Sequence, residues 1–406
     1  MSLNIEKIGP SEGTEIGKDD IIRNYDNLLS SEYDSLADFI DDKSLLFIVN
    51  DFKRATPTAL FLETIDEYLQ ERNIDLFDRE LNVIIATGTH DPPTEEGLKR
   101  ILGKFYGRLE SKTIIHRSKK NEHLEIGKTE RETPIKIDKN ILGYDRIINI
   151  NSVEPHYFAG FTGGRKSLLP GICHWDTIVQ NHSFSLDKES KPLSLKKNPV
   201  NLDAIDAAHR IIDHLDSDIL SINSVSKDKK VYSVSTGDFF ETFESLIDIS
   251  KRLFTVKLDK KADIVIARIA EPGDKNLYQS FKGFENCKMV CKEGGVLILV
   301  SECYEGIGPR DFYDQLSSSD NPQDIINLVH EDYPFGGHKG VNILRFLEDH
   351  SIYIVSDLGD NIIKDCFCEP YDDLDEALDS ALKKINVKNP YIIDIEEANN
   401  VVPIID

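Results

Sequence analysis

The sequence predicts an α/β protein of two α/β domains with mainly parallel sheets. Three observations lead there. Short, continuous, β-branched apolar runs recur along the chain. Amphipathic helical patterns separate them. The runs also fall into two groups, with a gap of about a hundred residues between them. A strand buried on both faces reads as an unbroken apolar run, and it belongs to a parallel sheet covered by helices on each side.

The first group comprises "LLFIVN" (Leu45–Asn50), "NVIIATG" (Asn82–Gly88), "TIIHR" (Thr113–Arg117) and "RIININ" (Arg146–Asn151). The second comprises "DIVIARI" (Asp263–Ile269), "GVLILVS" (Gly295–Ser301) and "IYIVSD" (Ile352–Asp357). Helical periodicity covers Thr58–Arg72, Thr94–Leu102, Phe239–Leu253 and Leu374–Lys384. The gap from Asn151 to Asp259 reads as a glycine-rich loop, a Lys/Ser/Pro-rich loop and helices. This places the domain boundary near residue 255, giving domains 1–255 and 256–406.

Composition narrows the function. The 406 residues carry a formal net charge of −24, which argues against nucleic-acid binding because nothing offsets phosphate repulsion. No apolar run is long enough to span a membrane. The N-terminus lacks an apolar signal core. The six cysteines lack zinc-ribbon spacing. A cytoplasmic protein with reduced thiols is expected.

In open α/β sheets, ligands sit beyond the carboxyl ends of the strands. Four segments are therefore candidates. In "NDFKRATPT" (Asn50–Thr58), Asp51 and Arg54 follow a strand directly, and Thr56 or Thr58 can cap the next helix. The segment is either a capped turn or a place where Arg54 pairs with a carboxylate or phosphate. In "ATGTHDPPTEEGLKRILG", His90 follows a strand end and can act as acid or base, and Thr94 is the natural N-cap of the next helix.

The third segment, "HYFAGFTGGRKSLLPG" (His156–Gly171), looks like an anion loop. The Gly160–Gly164 segment, with Gly163 and Gly164, frees backbone amides to surround an anion, and a helix after Lys166 would aim its N-terminus at it. It is not a Walker loop, because Arg165 stands where that pattern requires glycine. His174 and His182 are eight residues apart and share a face if one helix carries both. The fourth segment is "YQSFK", where Tyr278 and Lys282 share a helix face with Gln279 on its flank. His116, His123, His209, His214, His330 and His350 lack such settings and read as structural or surface residues. His338 in "PFGGHKG" is a candidate that a Gly-Gly turn would present.

Taken in order, "DFKRATPT", "GTHDPPTEEGLKRILG", "PHYFAGFTGGRKSLLPG…NH" and "YQSFK" resemble the nickel-dependent lactate racemase family. The likeness covers most of the chain. It implies racemisation or epimerisation of a 2-hydroxy acid by reversible hydride transfer to a nickel pincer nucleotide. That cofactor is pyridinium-3,5-bisthiocarboxylic acid mononucleotide with nickel. The resemblance makes Lys166 the covalent tether and His182 the nickel ligand. His90 and His156 become the acid/base pair. Asp51, Gly163 and Gly164 fall beside the cofactor; Arg54, Tyr278, Gln279 and Lys282 fall around the substrate. It further implies an active-site cleft between the domains, the second closing over the substrate. Cofactor-synthesis enzymes become maturation partners.

Two departures leave the particular 2-hydroxy acid open. The only tryptophan is Trp175, whereas lactate racemases carry one from the second domain, where Phe367 is the expected substitute. Asp91 stands where family members often have a basic residue. Two other readings fit the residues alone. One is a metal hydrolase using His156, His174 and His182. The other is a non-enzymatic protein that binds a phosphorylated metabolite on the glycine loop.

Overall fold

All seven expected strands form. The computed structural model describes residues 5–40 and 43–406 and divides them into two units. One unit consists of residues 13–184 and 194–251. Its six-stranded sheet runs Lys230–Gly237, Asp218–Lys227, Arg146–Ser152, Leu45–Asn50, Leu81–Ala86, Thr113–Ile115. All neighbours are parallel except the first pair. The register sets Asn50 opposite Ala86 and Val49 opposite Ile150, so the carboxyl ends of three central strands lie level. The segments that follow them, beginning at Asp51, Thr87 and Val153, leave the same edge of the sheet.

The pair Asp218–Lys227 and Lys230–Gly237 lies inside the stretch expected to hold only loops and helices. Its sequence, "DILSINSVSK", hides a central strand because Ser221, Asn223, Ser224 and Ser226 are polar yet fully buried. They are satisfied sideways. Asn223 Nδ2 donates to Ser221 Oγ (3.0 Å) and to Thr242 Oγ1 (2.9 Å). Buried polar groups are tolerated where they are hydrogen-bonded in this way.

The second unit contains Arg252–Asp406 together with residues up to Glu12 and Ser185–Leu193. A single cut at residue 255 therefore misplaces two segments. The physical reason for the first is Ile5–Ile8, which pairs in parallel with Ile392–Ile395. For the second, Leu186 packs on this unit's core and its carbonyl accepts from Arg345 (2.8 Å). The sheet runs Ile5–Ile8, Ile392–Ile395, Ala262–Arg268, Cys291–Val300, Ser351–Val355, Glu369–Tyr371, all parallel. Alternate residues feed opposite cores. Val265 and Ala267 pack with helix Leu277–Cys287, while Ile264 and Ile266 pack with helix Leu374–Ile385. Both faces are covered, hence the unbroken apolar strand sequences. All six cysteines are free and buried. No described helix is long and apolar enough to cross a membrane.

Candidate functional site

The first two strand-end loops meet through Asp51 and His90. Asp51 is only 4% exposed, and His90 Nδ1 bonds to its carboxylate. Burial alone would raise the Asp51 carboxyl. The His90 bond, the charges of His90 and Arg54, and the Lys53 amide overcome that and hold it below its ordinary value. An ionised carboxylate only accepts, so Nδ1 carries a proton, and in the neutral form of the ring Nε2 presents the lone pair. His90 sits on a tight turn, its N–H donating to Thr87 O (2.9 Å). Gly88, at φ 56°, donates to Gly171 O (2.9 Å), which ties this turn to the loop carrying Lys166. Thr94 caps helix Glu95–Leu102 as expected, accepting from Gly97 N (3.2 Å). Thr56 and Thr58 do not cap theirs. Pro57 is the N-cap of Thr58–Gln70, and Thr56 Oγ1 instead donates to Ser152 Oγ (2.9 Å).

The third loop is a small hairpin followed by a turn. Pro155–His156 pairs with Gly160–Phe161. His156 is buried, stacked on Tyr157, with its edge against Phe158. Its Nδ1 accepts from the Ala159 amide (3.2 Å), which puts the ring proton of the neutral form on Nε2. The two histidines are thus held with opposite nitrogens protonated. No α-helix follows Lys166. Gly164–Ser167 is a single 3₁₀ turn, and the chain then folds back through Pro170. The glycines do not open a cradle either. A Cβ at Gly163 would meet Val153 Cγ2 at 2.9 Å and Ser152 O at 3.0 Å, and one at Gly164 would meet Phe243. The Gly164 amide already donates to Asn223 Oδ1 (3.2 Å). These residues are glycine because the turn is packed tightly against protein.

Lys166 lines a small cavity together with Phe158, Leu169, Asn181 and His182. It keeps partial exposure, but its amine sits in dense protein. Desolvation, then repulsion from Arg54 and Arg165, holds its pKa well below the ordinary lysine value. His182 is 8% exposed, on helix Trp175–Ser183, edge-on to Phe158 at 5.0 Å. Desolvation and the nearby Lys166 charge push its pKa down to about 3, with His90 adding a further repulsion. It is a neutral imidazole at physiological pH, the form that binds metals.

His174 does not share that helix face. It is the N-cap, its Nδ1 accepting from Asp176 N (3.1 Å), and it packs on His123. His156, His174 and His182 therefore do not assemble as one ligand set, because the helix starts after His174.

Tyr278, Gln279 and Lys282 lie in the other unit, on helix Leu277–Cys287, capped by Asn276 accepting from Gln279 N (3.0 Å). Tyr278 is held firmly. Lys339 Nζ donates to its carbonyl (2.6 Å) and lies 3.4 Å from its ring centroid. Gly308 and Gly336 back onto the same side chain. His338 is buried rather than presented, and its Nδ1 bonds to Tyr333 Oη (2.8 Å). Phe367 packs against this unit's core at φ 62°. Trp175 lies under Lys119 in the first unit.

Three residues that hold the Lys166 turn were missed from sequence. Arg165 is 1% exposed and donates to four carbonyls of its own loop. Asn151 Oδ1 accepts from Ser167 Oγ (2.6 Å), and Asn223 accepts from Gly164. The available signal was asparagine inside otherwise apolar strands, as in "RIININ".

Comparison with known proteins identifies the family of both domains. Residues 13–193 match the lactate racemase N-terminal domain, and residues 257–402 match the lactate racemase C-terminal domain. The lactate racemase of Thermoanaerobacterium thermosaccharolyticum is 31% identical over 355 residues, covering 85% of this chain and 81% of that protein. The lactate racemase of Lactiplantibacillus plantarum is 28% identical over 83% of this chain and 80% of its own length. The solved lactate racemase apoprotein from T. thermosaccharolyticum superposes with a TM-score of 0.85 at 27% identity, covering 99% of this chain and 94% of that one. A protein from Thermotoga maritima, 17% identical with a TM-score of 0.73, shares the fold over 98% of this chain and its own full length. With both domains matched and nearly the whole chain superposed, the chain belongs to the lactate racemase family.

Proposed function

We propose that this protein is an isomerase, a racemase or epimerase of a small 2-hydroxy acid, working with a nickel pincer nucleotide. One observation carries the reading. The Asp51–His90 pair, Arg54, the desolvated amine of Lys166 and the neutral imidazole of His182 lie within electrostatic reach of one another, at the carboxyl ends of parallel strands.

The residues fit the cofactor chemically. A desolvated amine that feels the charges of two arginines loses its proton more readily than an ordinary lysine, so Lys166 suits covalent attachment. His182 offers nickel a neutral nitrogen. Gly163 and Gly164 contribute by shaping the turn that carries Lys166. When bound, the cofactor supplies a hydride acceptor and donor, so that oxidation of the alcohol removes the stereocentre.

The chain's own residues do the rest. His90 Nε2 takes the hydroxyl proton, with Asp51 orienting the ring and stabilising its charged form. His156 presents an Nε2–H, and it becomes a base when its Nδ1 releases the Ala159 amide. Arg54 pairs with the substrate carboxylate. Tyr278, Gln279 and Lys282 are assigned to the substrate as well, and the fixed position of Tyr278 supports that. Free, buried thiols support a reducing, cytoplasmic setting, with cofactor-synthesis enzymes as maturation partners.

The test is racemisation of an α-deuterated 2-hydroxy acid by protein matured with those enzymes. Label should stay largely on carbon, and His90→Ala should abolish turnover in both directions. Rapid wash-out of label into water would overturn hydride transfer. A second outcome concerns Asp51. Asp51→Asn should lower kcat by roughly 10²–10⁴-fold with KM little changed, because a neutral amide cannot stabilise the imidazolium. A kcat equal to that of the wild type would remove the role given to this carboxylate.

A further inference from the structure

We propose that His116, His123 and Asp138 form a binding site for a divalent, zinc-type metal ion, distinct from the His182 position. One donor atom from each lies within 4.8 Å of the other two. Local structure brings them together. His123 and Asp138 are directly opposed across the antiparallel ribbon His123–Lys128/Pro134–Asp138, so their side chains leave the same face. His116 follows strand Thr113–Ile115 and meets that face from the sheet.

The hydrogen-bond accounting decides for a metal ion. His116 Nε2 faces the Cys173 carbonyl (3.0 Å), which only accepts, so Nε2 carries a proton. Its Nδ1 then faces the Asp138 carboxylate at 2.8 Å, and a cation belongs between them. That cation is a proton or a metal ion. His123 separates the two. Its ring donates to the Asn121 backbone carbonyl, and its buried Nε2 has no hydrogen-bond partner. A proton on His116 leaves that lone pair unsatisfied, whereas a metal ion takes all three.

The surrounding contacts are those of a built site. Asp138 Oδ1 accepts from Asn140 N (3.0 Å) and Asn140 Nδ2 (2.7 Å), and Oδ2 accepts from Asn121 Nδ2 (2.6 Å). A ligating histidine characteristically donates its other N–H to a carbonyl, as His116 does. Two imidazoles and a carboxylate with an open fourth position suit zinc and its neighbours. Tetrahedral donors around zinc lie roughly 3.3 Å apart, so His123 must swing inward slightly. It is partly exposed at the ribbon end, with its ring edge-on to those of His116 and His174. The bound ion would hold the three side chains together. It would also brace Cys173, at the end of the loop that carries Lys166.

Zinc alone is titrated into the full-length, cofactor-free chain, with binding followed calorimetrically and by melting temperature. Wild type and His182→Ala should each bind one zinc per chain and melt higher with it. His123→Ala, and His123→Gln as a milder change, should weaken binding by roughly 100-fold or more, with the fold checked by circular dichroism. The proposal is overturned if zinc binding survives both His123 variants, is abolished by His182→Ala, or is absent from the wild type.

Discussion

Lys166→Met should give a protein that never acquires the covalent cofactor, yet melts a few degrees above cofactor-free wild type. The two halves have one cause. The Lys166 amine is desolvated and faces the charges of Arg54 and Arg165, so its pKa is lowered in the folded state. Unfolded, the same amine keeps its ordinary value and binds a proton at every pH below about 10.5. Between the folded and unfolded values the unfolded chain therefore holds more protons, and stability falls as pH falls through that window. Methionine fills nearly the same volume without the penalty. Removing such a group stabilises by about 1–3 kcal/mol, and a large domain gains about 2–4 °C per kcal/mol. Wild type from a host with the synthesis enzymes should show a mass adduct that the variant lacks. If the methionine variant melts at or below the cofactor-free wild type, Lys166 is not the strained group described here. An adduct that persists in the variant would move the tether elsewhere.

The strain at Lys166 explains why some of this site could be read from sequence and some could not. The residues proposed to meet the ligand are chemically conspicuous: His90 after a strand, Lys166 after glycines, Arg54 at a strand end. Their ordering along the chain carried the family resemblance. The residues that hold them are inconspicuous, because their partners are backbone groups that only the fold supplies. Asn151 and Asn223 carry no motif of their own, yet they pin the Gly163–Ser167 turn. The strand Asp218–Lys227 was missed for the same reason, since periodicity treats a buried serine as a surface residue. Gly163 and Gly164 were conspicuous for the wrong cause. Backbone freedom suggested an anion cradle, while the close neighbours are Val153, Ser152 and Phe243. His116 and His123 lacked a motif, and only the ribbon register sets His123 opposite Asp138.

Arg165 is where the two kinds of residue sit side by side, and its substitution should have the opposite effect to that of Lys166. Arg165→Ala should destabilise the protein by about 3–5 kcal/mol, lowering the melting temperature by roughly 10 °C or more. The guanidinium is buried and lies over the Phe243 ring at 4.5 Å. Its Nη1 donates to Thr162 O (3.3 Å) and Gly163 O (3.2 Å), and its Nη2 to Ala159 O (3.1 Å) and Phe161 O (2.9 Å). Desolvation lowers its pKa to about 9, which still leaves it charged at neutral pH. Four carbonyl dipoles replace the water it gave up, so the charge is solvated by the loop it organises. Alanine strips the donors from all four carbonyls and leaves a cavity beneath Phe243. Arg165→Lys should recover little, because an ammonium is a point donor that cannot span two pairs of carbonyls in one plane. A lysine variant that melts with the wild type would show that charge alone suffices and that the planar fork is irrelevant. Should the alanine variant instead fold normally and lose only phosphate-ester binding, Arg165 would be a ligand residue, and the anion-loop reading of this segment would return. The geometry favours the staple, since Nη1 and Nη2 each already serve two carbonyls and the side chain is almost fully enclosed.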